Sequence, residues 1–564
     1  MVLFSVSLAV YKAVNLTIEM DADWHRFIVF VGLDALFLAW LFMAALLVGI
    51  TGRKWFGGVV YCLLAAMVFL YLLDSFVLLA LDEHASLFEI GRYAPEWNVI
   101  LSFFDAGTYI AALLFLLCMF VFAGYTPVIK KMSLLLVIGA LLSAVAGSVY
   151  APRSLGFYAM TNPFQLLGLN ASQQAAEVYS TEEIAFYGGL KREEVAVPAS
   201  KPDIILLIVE SLSSINSKKL SGNAGMLNDF DALAGEGVLF SNFFANHQAS
   251  EGGLIALLGG FPPINFPTAT PYMFDEFAIQ ASVIADYREQ GYFTEFLTNA
   301  DLAFIGLDGF LGGLGFDSSR GRDDVEEMSR APRIVQDAPS DAFLYRTAMS
   351  SVRFRRSFEQ PFLLTIATTS THLPYTHPEG GPDTPEAIWA WSLQRLLGFY
   401  SRLSESGFFD RGILLITGDH RQMRPVSRAE TELYGDSARA RVPLLVIGNN
   451  YPRGVIDERF FQQSDLLRML GRIHDSKGPL SPHPLWVERY NRKYGRIELI
   501  NSLTVFDETD QGLNGYRITM PGNLIQWPDG KPGFAREVET RIHVQRSNHQ
   551  RVRQQLQQTR LDKP

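Results

Sequence analysis

Cysteine is almost missing from this chain: 564 residues contain only Cys62 and Cys118. Everything after residue 118 therefore folds without disulfides, and cysteine usage does not fix the redox compartment. A positive charge excess is missing too. The net charge of −10 argues against nucleic-acid binding as the main task. The first apolar run, 2–18, is interrupted by Lys12 and Asn15, and the "EMDADWHR" after it lacks the small residues of a leader cleavage site. It reads as a first membrane span rather than a signal peptide.

Apolar sequence is abundant, and it is concentrated in the first 150 residues. Four further runs, 27–50, 55–81, 99–123 and 132–150, approach or exceed the roughly 20 residues a helix needs to cross a bilayer. The short loops "TGRKW" and "TPVIKKM" are basic, whereas "EMDAD" and "LDEHASLFE" are acidic. Basic loops stay cytoplasmic, so five spans put the amino end inside and the chain after residue 150 outside. Asp34, Asp74 and Asp105 fall within the spans. Carboxylates there sit near helix ends, inside a bundle or at a functional site.

Residues 151–200 carry scattered prolines and read as an interfacial connector. At 564 residues more than one core is expected. The pattern changes at "KPDIILLIVESLSS". Continuous apolar strands are expected over 204–209, 237–243, 292–297, 361–367, 412–417 and 442–447. Helices are expected over 229–235, 251–258, 282–290, 385–407 and 460–473. Such alternation over 201–475 predicts an α/β domain with a mostly parallel central sheet, whose chemistry gathers at the carboxyl ends of its strands. Polar residues stand at those ends: Glu210, then "TTSTH" with His372, then Asp419 and His420 closing "GILLITGDHR". An acid at one strand end is commonly a cap or a solvated residue. Three strands delivering Glu, His and Asp-His to one edge make a candidate site for a hard or borderline cation, with no thiolate to favour a structural zinc centre. Ser250, in "NHQASEGGLIALLGG", reads equally as a helix N-cap and as a nucleophile beside that cation.

Taken in order, "DIILLIVESLS", "FSNFFANHQASEG", "GYFTEFLTN", "LGFD", "TTSTHLPY", "TGDHRQM" and "RVPLLVIG" resemble the alkaline-phosphatase superfamily. Within it they look like the lipoteichoic acid synthase branch, with its phosphoglycerol and phosphoethanolamine transferases. The likeness spans about 202–473, and the five-span anchor ahead of an outside domain fits it. It implies that Glu210, Asp419 and His420, with Ser250, hold one divalent cation, Mn2+ or Mg2+, with Zn2+ also compatible. It implies that His372 contacts the substrate. It further implies a two-step exchange: a hydroxyl takes the headgroup phosphate from phosphatidylglycerol or phosphatidylethanolamine, and then passes it to a glycan or glycolipid. The place would be the extracytoplasmic, periplasmic side of a bacterial inner membrane.

Departures from that branch matter. The family threonine aligns with Ala249, so either Ser250 has taken the role through a one-residue shift or the nucleophile is gone. The Trp and Arg that grip glycerol phosphate have no counterpart in "AFIGLDGFLGGLGFD", which leaves Arg320 or Arg322 as candidate replacements. "QASEGG" also lacks the Cys/Ser-x-Pro-x-Arg motif of sulfatases, which argues against sulfatase activity. A hydrolase of the same bond and an inactive envelope scaffold stay open beside the transferase. Residues 476–564 read as a small β appendage followed by a polar, Gln- and Arg-rich helix, either solvated or lying against anionic headgroups.

Overall fold

Strand β1 (Asp203–Val209) explains the first apolar run: all seven of its residues are buried. Ile205, Leu207 and Val209 enter one hydrophobic core, while Ile204, Leu206 and Ile208 are buried on the opposite face. A strand covered on both sides cannot alternate polar and apolar residues, and each buried Ile or Leu contributes about 1.5–3 kcal/mol. The computed structural model describes most of residues 179–561. Outside the described residues lie 1–178, 190–194, 264–281 except Phe274 and Phe277, 474–484 except Leu480, 490–500 and several shorter stretches. The five candidate spans and most of the connector therefore lie outside the described residues. Among the described residues, no helix is long and apolar enough to cross a membrane.

The central sheet continues through β2 (Val238–Phe240), β4 (Phe293–Thr298), β5 (Ser318–Arg320), β6 (Phe362–Ala367), β7 (Gly412–Gly418), β8 (Leu444–Ile447) and β9 (Val455–Asp457), with β3 (Phe243–Phe244) standing apart from it. Its order is β5-β4-β6-β1-β7-β8-β2-β9. Only β8 runs against the rest, pairing antiparallel with β7 and β2. The expected mostly parallel sheet is present. In register, β1 lies between β6 and β7, with Ile208 beside Ala367 and Val209 beside Gly418. Three polar strand ends thus meet at the middle of one edge.

Helices α1 (Thr181–Gly188), α2 (Asn228–Leu233), α3 (Ser250–Leu254), α4 (Val283–Glu289), α5 (Leu307–Leu314), α6 (Asp341–Arg355), α7 (Pro385–Glu405) and α8 (Ala535–Leu561) complete the described frame. Leu344, Ala348 and Val352 of α6 and Trp389, Leu393 and Leu396 of α7 cover the β1 face that carries Leu207. Helix α7 begins as its sequence indicates, with Thr384 as N-cap and Pro385 in the first turn.

Two expectations are corrected. Residues 237–243 do not form one strand: β2 belongs to the central sheet, whereas β3 pairs with β10 (Phe461–Gln462). The helix expected over 460–473 is β10 followed by short helical turns. Buried Gln462, Gln463 and Asp465 satisfy partners there that a continuous helix would miss. Beyond it, β11 (Leu485–Arg489), β12 (Asn501–Thr509) and β13 (Gly512–Met520) form a three-stranded antiparallel sheet. Helix α8 is not simply solvated. Its Val538 and Ile542 are buried with Val505 and Ile518, and His543 stacks on Tyr187 while meeting the Tyr179 hydroxyl at 2.8 Å.

Candidate metal centre

Glu210 follows β1 directly and Asp419 follows β7, so the pairing of two central strands places the two carboxylates side by side. Glu210, Asp419 and His420 are all buried, and one ligand atom from each lies within 4.8 Å of the others. His420 Nε2 is 3.3 Å from Asp419 Oδ2 and 3.5 Å from Glu210 Oε1. The other ring nitrogen, Nδ1, donates to the Arg421 carbonyl at 2.7 Å. In the neutral ring this leaves the Nε2 lone pair aimed at the carboxylates, as a metal-binding imidazole needs.

The backbone holds each ligand in place. Ser211 has φ +60°, a left-handed conformation that non-glycine residues avoid. In it the Ser211 N–H donates to Asp419 Oδ1 at 2.9 Å and its hydroxyl donates to Glu210 Oε1 at 2.8 Å. The β6 loop braces Glu210 from the other side: Glu210 N–H donates to Thr368 Oγ1 and the Thr371 hydroxyl donates to the Glu210 carbonyl. Gln463 donates to the Gly418 and Asp419 carbonyls at 2.8 and 2.7 Å.

Ser250 completes the corner. Ala249 is the N-cap of α3 and makes no side-chain cap, so Ser250 occupies the first helical position with its hydroxyl turned to the acids. Its Oγ donates to Glu210 Oε2 at 3.3 Å and lies 3.1 Å from His420 Nε2. The N-cap reading of Ser250 is therefore replaced. A Cβ on Gly253 would come within 2.1 Å of the Asp419 carbonyl oxygen, so only glycine lets the first turn of α3 approach this closely.

Charge follows from burial. Burial first, then the negative charge of Glu210, pushes Asp419 up to about 7. Burial alone would lower His420, but Asp419 and Glu210 outweigh it and raise the ring. Asp419, buried beside a second carboxylate, holds a proton it would release in water. Two carboxylates, one oriented imidazole and one hydroxyl are a donor set that fits a divalent cation.

Among the other expected site residues, His372 stands on the β6 loop, buried, and burial lowers its ring to about 4. The two arginines are committed elsewhere. Arg320 pairs with buried Glu295 and meets Ser351. Arg322 pairs with Asp301 at 2.8 Å, Asp337 at 2.8 Å and Asp323 at 3.0 Å. Both arginines thus stand in internal ion pairs. The braces Ser211, Thr368, Thr371 and Gln463 were missed. "ESLS" and "TTSTH" carried a signal for the first three, and nothing local marked Gln463.

Residues 202–387 match the family model described as Sulfatase, a span that includes Glu210, Ser250 and His372 and stops short of Asp419. Over 218 residues the chain is 27% identical to phosphoglycerol transferase I of Xanthomonas axonopodis pv. citri (strain 306), covering 35% of this chain and 31% of that protein. The chain thus spans under a third of the length of the curated relatives it matches. Among solved structures, a protein in the alkaline phosphatase superfamily from Vibrio parahaemolyticus is similar at TM-score 0.47 and 18% identity, over 68% of this chain and 97% of that one. A lipoteichoic acid synthase from Listeria monocytogenes is similar at TM-score 0.47 and 15% identity, over 66% of this chain and 98% of that one.

The match to the Sulfatase family model over residues 202–387 thus falls on the α/β domain with the mostly parallel central sheet.

Proposed function

We propose that this chain is a membrane-anchored transferase that moves phosphoglycerol or phosphoethanolamine from a phospholipid to an envelope glycan or glycolipid. The observation that carries the reading is the position of Ser250, whose Oγ lies 3.1 Å from His420 Nε2 and 3.3 Å from Glu210 Oε2. An idle helix-start serine faces solvent or caps its own helix; this one faces a buried acid–imidazole corner. The anchor rests on the apolar runs within residues 1–150, and the extracytoplasmic, periplasmic side of a bacterial inner membrane rests on their loop charges.

Glu210, Asp419, His420 and Ser250 would hold one divalent cation, Mn2+ or Mg2+, with Zn2+ also compatible. Such an ion supplies positive charge to phosphoryl oxygens and lowers the pKa of a neighbouring hydroxyl. The chain's own part is to aim and deprotonate the nucleophile. The Ser250 hydroxyl points its proton at Glu210 Oε2. Oγ attacks the headgroup phosphorus, the bond to the diacylglycerol oxygen breaks, and diacylglycerol leaves with a proton. The phosphodiester on Ser250 is then attacked by an acceptor hydroxyl, which restores the serine. His372 would face the substrate, and it stands on the loop whose Thr371 braces Glu210.

The test incubates purified full-length protein and Mn2+ with headgroup-labelled phosphatidylglycerol or phosphatidylethanolamine. Diacylglycerol release, with label passing to an added glycan, is the expected result. Label appearing only in water-soluble headgroup phosphate would make the protein a hydrolase. Ser250→Ala is expected to cut release by about a thousandfold or more, the scale of losing a covalent nucleophile. Unchanged turnover would place the nucleophile elsewhere.

A further inference from the structure

His372 has both ring nitrogens engaged by the protein. Nδ1–H donates to the Leu373 carbonyl. A ring protonated at Nδ1 offers only a lone pair at Nε2, and Gln336 Nε2 lies 2.7 Å from it. The amide nitrogen of Gln336 must therefore be the donor, which fixes the amide's orientation. No ring nitrogen is left over for a headgroup. Gln336 is only partly buried, and among the described residues its carbonyl oxygen accepts no hydrogen bond.

The backbone under Gln336 is built to hold it. Gln336 and Asp337 have φ of +51° and +54°, the pattern of a type I′ turn, and Val335 and Ala338 bridge on either side. Asn-Gly or Gly-Gly is the usual sequence for such a turn. Arg322 clamps it through the 2.8 Å ion pair to Asp337, while its own amide donates to the Ala300 carbonyl at 2.9 Å. The arginine expected to touch substrate instead supports the turn that presents a glutamine.

We propose that Gln336 is the group that meets the transferred headgroup, and that His372 is the positioning residue that orients its amide. The carbonyl Oε1 accepts a hydrogen bond from a headgroup hydroxyl or ammonium, and the second N–H serves a phosphoryl oxygen. The substrate class follows: phosphoalcohols with a hydrogen-bond donor, such as glycerol or ethanolamine, over choline, whose quaternary ammonium has none. This inference deepens the transferase reading and rests on it for the role of the headgroup.

Calorimetric binding of glycerol 1-phosphate and phosphocholine to the Mn2+-loaded full chain tests it without turnover. Wild type is expected to favour glycerol phosphate by about tenfold, the scale of one hydrogen bond gained in a partly buried site. Gln336→Ala should abolish that preference at unchanged Mn2+ affinity, which also reports intact folding of the centre. His372→Phe should abolish it too, whereas His372→Gln, which keeps an acceptor opposite the amide, should restore part of it. Equal discrimination by wild type and Gln336→Ala, or full discrimination in His372→Phe, overturns the proposal. Gln336-dependent selectivity in a protein that releases no diacylglycerol would keep this assignment and remove the transferase reading.

Discussion

Asp341 shows how one buried carboxyl organises the loop after β6. Its Oδ1 accepts from the Thr369 and Ser370 amides at 3.1 Å each and from Asn299 Nδ2 at 3.0 Å. Among the described residues, Oδ2 has no hydrogen-bond partner. Burial raises the carboxyl above its ordinary value, only partly offset by the hydrogen bonds from Thr369 and Ser370. The fold therefore favours the protonated form more than the unfolded chain does. The stability it contributes is fully present below the ordinary carboxylate value and is lost as pH rises through the raised one. Asp341→Asn keeps an acceptor and removes the charge, so the fall in stability from the ordinary carboxylate value of about pH 4 to neutral pH should be shallower in the variant. Urea unfolding at the two pH values checks this. Equal slopes would mean that the carboxyl is ionised in the fold without penalty. Gln336 and Asp337 belong to the same scale. Left-handed non-glycine residues cost about 1–3 kcal/mol each, a strain that persists only where its surroundings impose it.

At the scale of elements, the site depends on how closely α3 approaches the end of β7. Gly253→Ala would press a methyl to 2.1 Å from the Asp419 carbonyl, a backbone atom that cannot rotate aside. The variant is expected to lose about 1–3 kcal/mol of stability, the scale of an overpacked contact. Its Mn2+ affinity should fall as well, because the first turn of α3 carries Ser250. Denaturant unfolding with and without Mn2+ reads both effects, and wild-type values in both would show that the helix has room to shift. The strands that sequence made legible are those covered on both faces, β1, β6 and β7, whose continuous apolar runs need no partner to be recognised. Edge strands β5, "SSR", and β9, "VID", carry no such run, because they form through pairing with β4 and β2. Helix α6 was also missed. Its apolar face, Leu344, Ala348 and Val352, is diluted by arginines and serines on the other sides.

Across the whole molecule, the carboxyl-terminal region is part of the fold rather than a tail. Ile542 of α8 is fully buried against Val505 and Ile518, and Gln550 exchanges hydrogen bonds with the Tyr179 backbone just before α1. Ile542→Ala is expected to cost about 2–5 kcal/mol, the range for deleting a large aliphatic side chain in a packed core. Thermal or urea unfolding measures it. A loss below about 0.5 kcal/mol, the range of surface substitutions, would mean that α8 is only loosely applied.

Sequence by itself determined the α/β frame and the meeting of Glu210, Asp419 and His420. Buried parallel strands announce themselves as apolar runs, and adjacent parallel strands end on one edge. Tertiary structure alone decided the rest. Which of Ala249 and Ser250 starts the helix depends on how the 246–250 turn packs, and the fates of Arg320 and Arg322 depend on partners such as Glu295 and Asp337. His372 and Gln336 are 36 residues apart, and no local pattern links them until the chain closes. Periodicity records burial; the direction in which a polar side chain points is set by whichever partner the fold brings within hydrogen-bonding distance.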